Sequence, residues 1–349
     1  MEPRFDRETA DLARSWGRHD REVLRDYLVR DVEDPRINVQ SVLTRHFLME
    51  RLWPGLFGQL KEHEIRFAVA ANWLLGIRKD AALAARHDDI LCALLAGADE
   101  KPEGVEIPGW IREVFASLPA EADGLDVPDY ISDVLVLPPP SRPDEPPLPD
   151  HVASTFLGLF RQVLAAAPAP ADRPTVVEPA CGSANDYRYL DGFGIAGHID
   201  YTGFDLCDKN IANARDMFPA VAFRPGNVLA IEAGERAFEI CFVHDLFEHL
   251  SIDAMARAVA EVGRVTDHSV LAHFFQMHDE PEHLIRTQDD YHWNRLSLEK
   301  VAGLFDAAGF ELVRAVSVAE IVASRFPGAK THNEHAWTLH LERRLDADR

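Results

Sequence analysis

Short apolar runs alternate with amphipathic segments along residues 151–349, and this alternation predicts an α/β fold. Five apolar runs are predicted as strands, at 176–177, 201–204, 221–223, 238–243 and 269–275. Two more strands are predicted around 311–318 and 335–343, where the last alternates apolar with polar residues. Strands that alternate with helices favour a doubly wound, Rossmann-like sheet, here with seven strands and a terminal antiparallel hairpin.

Two helices of this region are indicated by their apolar faces and their caps. The first face carries apolar residues at spacings of three and four: Ile252, Met255, Val259 and Val262. The second carries Val301, Leu304, Phe305 and Ala308. Ser251 and Ser297 stand where an N-cap belongs, and Gly309 stands where a left-handed C′ residue belongs. The sequence therefore predicts helices that begin after these two serines.

The first part of the chain has a different pattern. Residues 38–50 and 56–97 are rich in Leu, Ala, Arg and Glu, which favours helices, and Pro54-Gly55 separates the two stretches. Segment 137–150 is so rich in proline that neither a helix nor a central strand can form there. We divide the chain into a mostly helical N-terminal cap or dimerisation domain (1–136), through which a homodimer would form, an acidic proline-rich linker (137–150) and an α/β domain (151–349).

Composition narrows the classes of function. The chain has 58 Asp and Glu against 36 Lys and Arg, for a formal net charge of −22. Nucleic acids and anionic membranes both attract basic surfaces, so neither is expected as a partner. No uncharged apolar run reaches the ~18 residues of a membrane span. The N-terminus has no apolar signal-peptide core, and the four cysteines form no CxxC pair. We expect a cytoplasmic protein.

Ligands of a doubly wound sheet bind at the carboxyl ends of its strands. The first predicted strand ends in Glu178-Pro-Ala-Cys-Gly-Ser-Ala184, an acid followed by a turn of small residues around Gly182. A carboxylate at this turn would repel the pyrophosphate of a dinucleotide. It would suit a ligand that carries an ammonium and a sulfonium.

Three further strand ends add to this interpretation. They are Gly203-Phe-Asp-Leu206, Arg224-Pro-Gly-Asn-Val228 and His244-Asp-Leu-Phe-Glu-His-Leu250. A carboxylate at Asp205 can accept hydrogen bonds from both hydroxyls of a ribose. In their order and spacing, the four segments resemble the motifs of class I S-adenosylmethionine-dependent methyltransferases, over about residues 150–345.

The resemblance implies S-adenosylmethionine as the cofactor and implies a partner for each of its parts. These are Glu178, Ala180 and Gly182 for the methionine end, Asp205 and Leu206 for the ribose, Asn227 and Val228 for the adenine, and His244 and Asp245 for the sulfonium side. The family usually has glycine where this chain has Ala180 and Ala184, so the loop is bulkier than usual.

Histidines are the candidates for acid–base chemistry. An oxygen acceptor commonly loses a proton during methyl transfer, and imidazole has a suitable pKa for taking it. We expect the catalytic base among His249, His278 and His292, which follow the fourth and fifth strands. A structural role for His249, packing its turn, is the alternative. Tyr291 and Trp293 would supply apolar walls for a substrate or pack the start of the next helix.

A metal site is another use of these side chains. Imidazole and carboxylate groups suit zinc or ferrous iron, and several could converge here: His244, Asp245, His249, His278, Asp279 and His283. No HxxxH or HExxH spacing is present, so we predict no metal.

The predicted function is therefore methyl transfer from S-adenosylmethionine to an oxygen or nitrogen of a small molecule, such as a peptide or natural product. A protein methyltransferase is one alternative, in which the proline-rich segment and the helical domain would present the partner. A methyltransferase-like binding or scaffold module without catalytic activity is the other, favoured by the alanines at two glycine positions.

Overall fold

The computed structural model describes residues 3–27, 38–80, 106–113, 172–329 and 333–344, and in addition 82–83, 86, 90, 161, 164–165 and 167–170. The predicted linker 137–150 lies outside the described residues. None of the helices in this described part combines the length and apolar character that crossing a membrane requires.

The N-terminal part of the chain is helical, as predicted. Its helices are α1 (Pro3–Gly17), α2 (Arg21–Asp26), α3 (Val39–Leu52) and α4 (Gly58–Lys79). Asn38 caps α3, because its side chain accepts hydrogen bonds from the backbone N–H groups of residues 40 and 41 in the first turn of the helix. The break between α3 and α4 falls at Pro54-Gly55, where Gly55 has a φ of 72°.

Seven of the nine described strands lie where the apolar runs predict them. The nine strands are β1 (Thr175–Pro179), β2 (Asp200–Asp205), β3 (Ala222–Pro225), β4 (Phe238–His244), β5 (Thr266–Phe274), β6 (Met277–His278), β7 (Leu296–Ser297), β8 (Phe310–Ser317) and β9 (Trp337–Arg343). The two short strands β6 and β7 were not predicted. The other seven form one sheet in the order β3-β2-β1-β4-β5-β9-β8. β1 to β5 pair in parallel, whereas β9 is antiparallel to both of its neighbours. The doubly wound sheet with a terminal antiparallel hairpin is confirmed.

The helices that connect these strands are α5 (Asn185–Gly192), α6 (Asp208–Met217), α7 (Ile252–Val265), α8 (Leu298–Ala307) and α9 (Val318–Arg325). The predicted caps are confirmed for α7 and α8. Ser251 Oγ accepts a hydrogen bond from the backbone N–H of Ala254 at 3.2 Å, and Ser297 Oγ accepts one from Lys300 at 3.4 Å. Gly309 follows α8 with a φ of 89°.

Helices cover both faces of the sheet. On one face, α7 and α8 bury Met255, Val259 and Phe305 together with sheet residues such as Val270. On the other face, α3, α4 and α5 share a core with the sheet, which includes Phe242. The N-terminal helices thus pack directly on the strands. The predicted division into separate domains stays a prediction.

Candidate active site

A cavity of about 530 Å³ lies at the carboxyl ends of β1, β2 and β4. Its volume is within the ~300–1,000 Å³ of typical ligand pockets. Helices α1 and α2 and the residue after them contribute part of its wall, through Thr9, Leu12, Trp16, Leu24 and Tyr27. The following residues predicted from the sequence also line it: Ala180, Gly182, Asp205, Leu206, Asn227, Val228, His244, Asp245 and His249. Glu178, His278 and His292 are described residues but are not among those that line the cavity.

The turn after β1 has left-handed backbone at alternate residues. Ala180, Gly182 and Ala184 have φ values of 57°, 55° and 62°. This conformation costs a residue with a Cβ about 1–2 kcal/mol, so the two alanines keep a glycine-like turn at an energetic cost. A Cβ on Gly182 would lie 2.8 Å from Oδ1 of Asn185. Glycine is therefore required at the centre of the turn by space as well as by conformation.

Asp205 presents its carboxylate at the end of β2. Oδ2 accepts a hydrogen bond from the backbone N–H of Gly182 at 3.0 Å. Oδ1 accepts bonds from the N–H of Cys207 at 2.7 Å and from Nδ2 of Asn210 at 3.1 Å. Burial raises the pKa of Asp205, and these three donors oppose that shift. The carboxylate is thus held in one position and joins the second strand end to the turn after the first.

Asn227 follows β3, and both the oxygen and the nitrogen of its side-chain amide make hydrogen bonds. Oδ1 accepts a hydrogen bond from the backbone N–H of Leu229 at 2.9 Å, and Nδ2 donates one to Oγ1 of Thr9 at 3.2 Å. The second bond joins this strand end to α1. The predicted contact between the Asn227 carbonyl and adenine stays a prediction.

Glu178 lies in the core next to the turn. Its residue is 1% exposed, and the hydroxyl of Tyr201 donates a hydrogen bond to Oε2 at 2.5 Å. Burial and the neighbouring carboxylate of Asp186 raise the pKa of Glu178 well above its usual range. The predicted contact of this side chain with the methionine end of the cofactor stays a prediction.

His244, at the end of β4, lies between two carboxylates. Nδ1 is 2.8 and 2.9 Å from the two carboxylate oxygens of Asp186, and Nε2 is 3.6 Å from Oδ2 of Asp245. Burial lowers the pKa of His244, but the two carboxylates outweigh it and raise that pKa to about 10. The cavity wall therefore contains an imidazolium cation at neutral pH.

Asp245 has strained backbone with a φ of 48°, and its N–H donates a hydrogen bond to the carbonyl of His273 at 3.0 Å. Its Oδ1 accepts a hydrogen bond from Nε2 of Gln40 in α3 at 3.1 Å, and Asn333 donates to Oε1 of Gln40 at 2.6 Å. Burial raises the pKa of Asp245 to about 6, although His244 opposes the shift. A left-handed residue that the surroundings hold in place is a frequent feature of functional sites.

His249 lies in a short 3₁₀ turn, Phe247–His249, after β4. Its Nδ1 is 3.1 Å from the backbone carbonyl of His292. A carbonyl only accepts hydrogen bonds, so Nδ1 carries the proton and Nε2 keeps a lone pair. Burial lowers the pKa of His249 to about 4, so the imidazole is neutral at pH 7.

The other two candidate histidines occupy different positions. His278 lies in β6, paired with Ser297 of β7, and its Nε2 is buried with no hydrogen-bond partner among the described residues. His292 meets His249 through its backbone, because its N–H also donates a hydrogen bond to the His249 carbonyl at 3.2 Å. The structure thus brings His249 and His292 together, and only His249 of the three lines the cavity.

Several residues of the cavity were not anticipated from the sequence. They are Trp16, Asn185, Phe275, Gln276 and Asn333. Gln40 of α3 was not anticipated either; it bonds to the lining residue Asp245 without lining the cavity itself. Gln40 and Asp245 are separated by 205 positions, and no local pattern relates them. Phe275 could have been found, because it directly follows the fifth strand and strand ends line such sites. Within the described residues, no group of three or more His, Cys, Asp or Glu side chains is arranged so that it could hold a metal ion.

Comparison with known proteins adds a match in sequence. Residues 176–269, which run from β1 into β5, match the family described as methyltransferase domain. Curated proteins include no match to the chain.

Similar folds occur among solved structures. An S-adenosylmethionine-dependent methyltransferase from Mesorhizobium loti is 11% identical, with 52% of this chain and 95% of that chain covered and a TM-score of 0.40. Magnesium protoporphyrin IX methyltransferase from Synechocystis PCC 6803, solved with bound S-adenosylhomocysteine, is 11% identical, with 55% and 84% covered and a TM-score of 0.38. A methyltransferase structure from Methanosarcina mazei is 10% identical, with 51% and 96% covered and a TM-score of 0.40.

Proposed function

We propose, from the premise that this chain carries a class I S-adenosylmethionine-dependent methyltransferase domain, that it methylates an oxygen or nitrogen of a small molecule. The observation that carries the proposal is His249. Its neutral imidazole lines the same cavity as Asp205 and the turn around Gly182. A group able to take a proton and the expected cofactor residues thus share one enclosed space.

The residues of the cavity fit the cofactor. Asn185 lines it with a buried Nδ2 that has no hydrogen-bond partner among the described residues, a donor free for the methionine carboxylate. Asp205 would hold the ribose, and Asn227 and Val228 would hold the adenine. When bound, S-adenosylmethionine supplies an electrophilic methyl group and leaves as S-adenosylhomocysteine.

The imidazole of His249 would take the proton that the acceptor loses. The proton of the acceptor oxygen or nitrogen would move to Nε2 of His249, while the cofactor would supply the methyl group and its sulfur would keep the electrons of the broken carbon–sulfur bond. The bond between Nδ1 and the His292 carbonyl keeps this tautomer in place, so the same nitrogen always faces the reaction as the base. His278 and His292 remain candidates for the catalytic base only because each has one buried ring nitrogen with no hydrogen-bond partner among the described residues.

Binding of S-adenosylhomocysteine to the full chain, measured by calorimetry, tests the cofactor assignment. Asp205→Asn should weaken binding by about tenfold or more, because a charge-assisted contact is worth ~1.5–3 kcal/mol. Asp208→Asn is the matched control, since this exposed residue lies three positions later in the first turn of α6. A folded wild-type protein that does not bind the cofactor product would contradict the proposal.

Transfer of a labelled methyl group from S-adenosylmethionine tests the reaction. Label is expected in small molecules extracted from the producing cell, and His249→Gln should lower the rate by ~10²–10⁴. His268→Gln, at an exposed position of β5, should leave the rate unchanged. Label that appears only in a protein band would favour a protein methyltransferase, and cofactor binding without any transfer would favour a scaffold.

A further inference from the structure

Aromatic rings from three distant segments surround His249. Trp16 comes from α1, Phe275 follows β5, and Trp293 lies in the segment before β7. The centres of these rings lie 6.4, 5.4 and 5.4 Å from the centre of the imidazole. The rings of Phe275 and Trp293 are also 4.7 Å apart at an angle of 61°.

These three rings are more exposed than the aromatic rings of the core. Phe274 and Phe247 are fully buried and fill the interior of the sheet and helix layer. Trp16, Phe275 and Trp293 are each only partly buried, and all three line the cavity. Their uncovered apolar surface therefore faces the space where an acceptor would lie.

We propose that this part of the cavity binds a neutral aromatic alcohol, whose ring packs against Trp16, Phe275 and Trp293 and whose hydroxyl donates a hydrogen bond to Nε2 of His249. This inference rests on the proposed function and names the class of its acceptor. Aromatic rings prefer offset or edge-on arrangements with centres about 4.5–7 Å apart, which such a set of tilted rings allows.

Charge in the cavity argues against a cationic acceptor. His244 is a cation in the same wall, and the sulfonium of the cofactor would add another positive charge. Of the carboxylates that line this wall, Asp245 accepts a hydrogen bond from Gln40, and Glu334 is exposed to solvent. An ammonium group would be repelled by these cations, and Asp245, the carboxylate next to His244, already has a hydrogen-bond partner.

The position of Trp16 is fixed by contacts of the N-terminal segment with Lys209 of α6 and by packing against Tyr27. Lys209 Nζ donates hydrogen bonds to the carbonyls of Gly17 at 2.9 Å and His19 at 2.8 Å. These two residues follow Trp16 closely in the chain. Tyr27 packs edge-on against Trp16 with ring centres 5.6 Å apart. The N-terminal segment therefore contributes to the choice of acceptor as well as to the enclosure of the cavity.

Fluorescence titration of the full chain tests the proposal with a matched pair of ligands. The probes are 2-naphthol and decahydro-2-naphthol, which share a bicyclic skeleton and a hydroxyl but differ in aromaticity. Each is titrated with and without saturating S-adenosylhomocysteine. We expect 2-naphthol to bind about tenfold or more tightly than the saturated alcohol. Equal binding of the two alcohols, or tighter binding of tetramethylammonium than of 2-naphthol, would overturn the proposal.

Two variants locate the site. Trp16→Leu and Phe275→Leu should each reduce the preference for 2-naphthol by about fivefold, because one ring contact is lost. Trp73→Leu is the matched control, since Trp73 packs against the helical core and does not line the cavity. A preference that survives in both folded variants would overturn the assignment of these rings. If the preference is present but S-adenosylhomocysteine does not bind, the aromatic site is supported and the proposed function fails.

Discussion

Gly182 and Ala184 have the same left-handed backbone but differ in the space around their Cβ positions. A Cβ on Gly182 would lie 2.8 Å from Asn185 Oδ1, whereas Ala184 already buries its methyl group completely. Asn185 cannot yield easily, because its Oδ1 accepts a hydrogen bond from the N–H of Ser183 at 2.9 Å. The two positions therefore allow a reciprocal test of the turn.

Gly182→Ala should lower the free energy of unfolding by about 1–2 kcal/mol from backbone strain, with the steric contact adding to it. It should also weaken binding of S-adenosylhomocysteine, because the Gly182 N–H holds Asp205. Ala184→Gly removes strain but loses a buried methyl worth ~0.8 kcal/mol, so its stability should stay within about 1 kcal/mol of wild type. Urea unfolding and calorimetry measure both effects. Equal stability of Gly182→Ala and wild type would contradict this account.

The ion pair between His244 and Asp186 predicts a dependence of stability on alkaline pH. Because folding raises the pKa of His244 from 6.5 to about 10, its stabilising contribution is complete below pH 6.5 and is lost as the pH rises to about 10. In His244→Gln the free energy of unfolding should therefore fall less between pH 7 and pH 9.5 than in wild type. Urea unfolding at several pH values measures this slope.

Asp186→Asn should also reduce the fall of stability with rising pH, because Asp186 is the carboxylate that raises the pKa of His244 most. His268→Gln is the control, since His268 is half exposed on the surface beside Asp267. A slope in His244→Gln as steep as that of wild type would show that other groups cause the alkaline loss of stability.

The positions of candidate site residues at strand ends were predictable. Asp205 and His244 directly follow the predicted strands 201–204 and 238–243, and the parallel sheet brings such strand ends together. The buried surroundings of Glu178 were not predictable, because its neighbours Tyr201 and Asp186 come from the next strand and the next helix. The distinction between His249 and His292 depends on one hydrogen bond, from the His249 side chain to the His292 backbone carbonyl 43 positions away, which leaves no trace in the local sequence.

At the scale of elements, α1 is attached to the sheet end by a few polar contacts. Glu8 accepts hydrogen bonds from the N–H of Ser251 at 2.7 Å and from its hydroxyl at 2.6 Å. Thr9 bonds to Asn227, and the carbonyl of Gly17 bonds to Lys209. The helix contributes cavity residues, so its attachment and the enclosure of the cofactor should depend on each other.

Glu8→Ala should loosen α1 and speed the dissociation of S-adenosylhomocysteine several-fold, with faster amide exchange in residues 3–17. Arg7→Ala is the control, because Arg7 is an exposed neighbour that pairs only weakly with Asp11, at 3.7 Å. Stopped-flow dissociation and hydrogen exchange measure the two effects. Unchanged dissociation in Glu8→Ala would mean that α1 does not limit release.

Helix boundaries were predictable where a side chain caps the helix. Ser251 and Ser297 cap α7 and α8 because their hydroxyls meet backbone amides three residues later. The docking of α1 and α3 onto the α/β part was not predictable. It depends on contacts such as Arg51 Nε to Ser269 Oγ at 3.1 Å, between residues 218 positions apart.

At the scale of the molecule, a buried ionic cluster joins the N-terminal helices to the α/β part. Arg45 Nη2 lies 2.9 Å from Oε1 of Glu64, and His46 contacts the other carboxylate oxygen. The guanidinium of Arg45 also lies 3.9 Å from the centre of the Phe193 ring. Burial raises the pKa of Glu64, but Arg45 and His46 outweigh it and hold that pKa below its usual range. Glu64 is thus an anion inside the shared core.

Glu64→Gln should destabilise the whole described part of the chain by about 3–5 kcal/mol, because it removes the carboxylate that faces the buried charge of Arg45. Since α3, α4 and the sheet share one core, the helices and the strands should unfold in a single transition in wild type and in the variant. Glu62→Gln is the control two residues earlier, at a more exposed pair with Arg325. Thermal unfolding followed by both circular dichroism and tryptophan fluorescence measures the transitions. Two separate transitions would show that the N-terminal helices are an independent domain, as the division at residue 136 predicts.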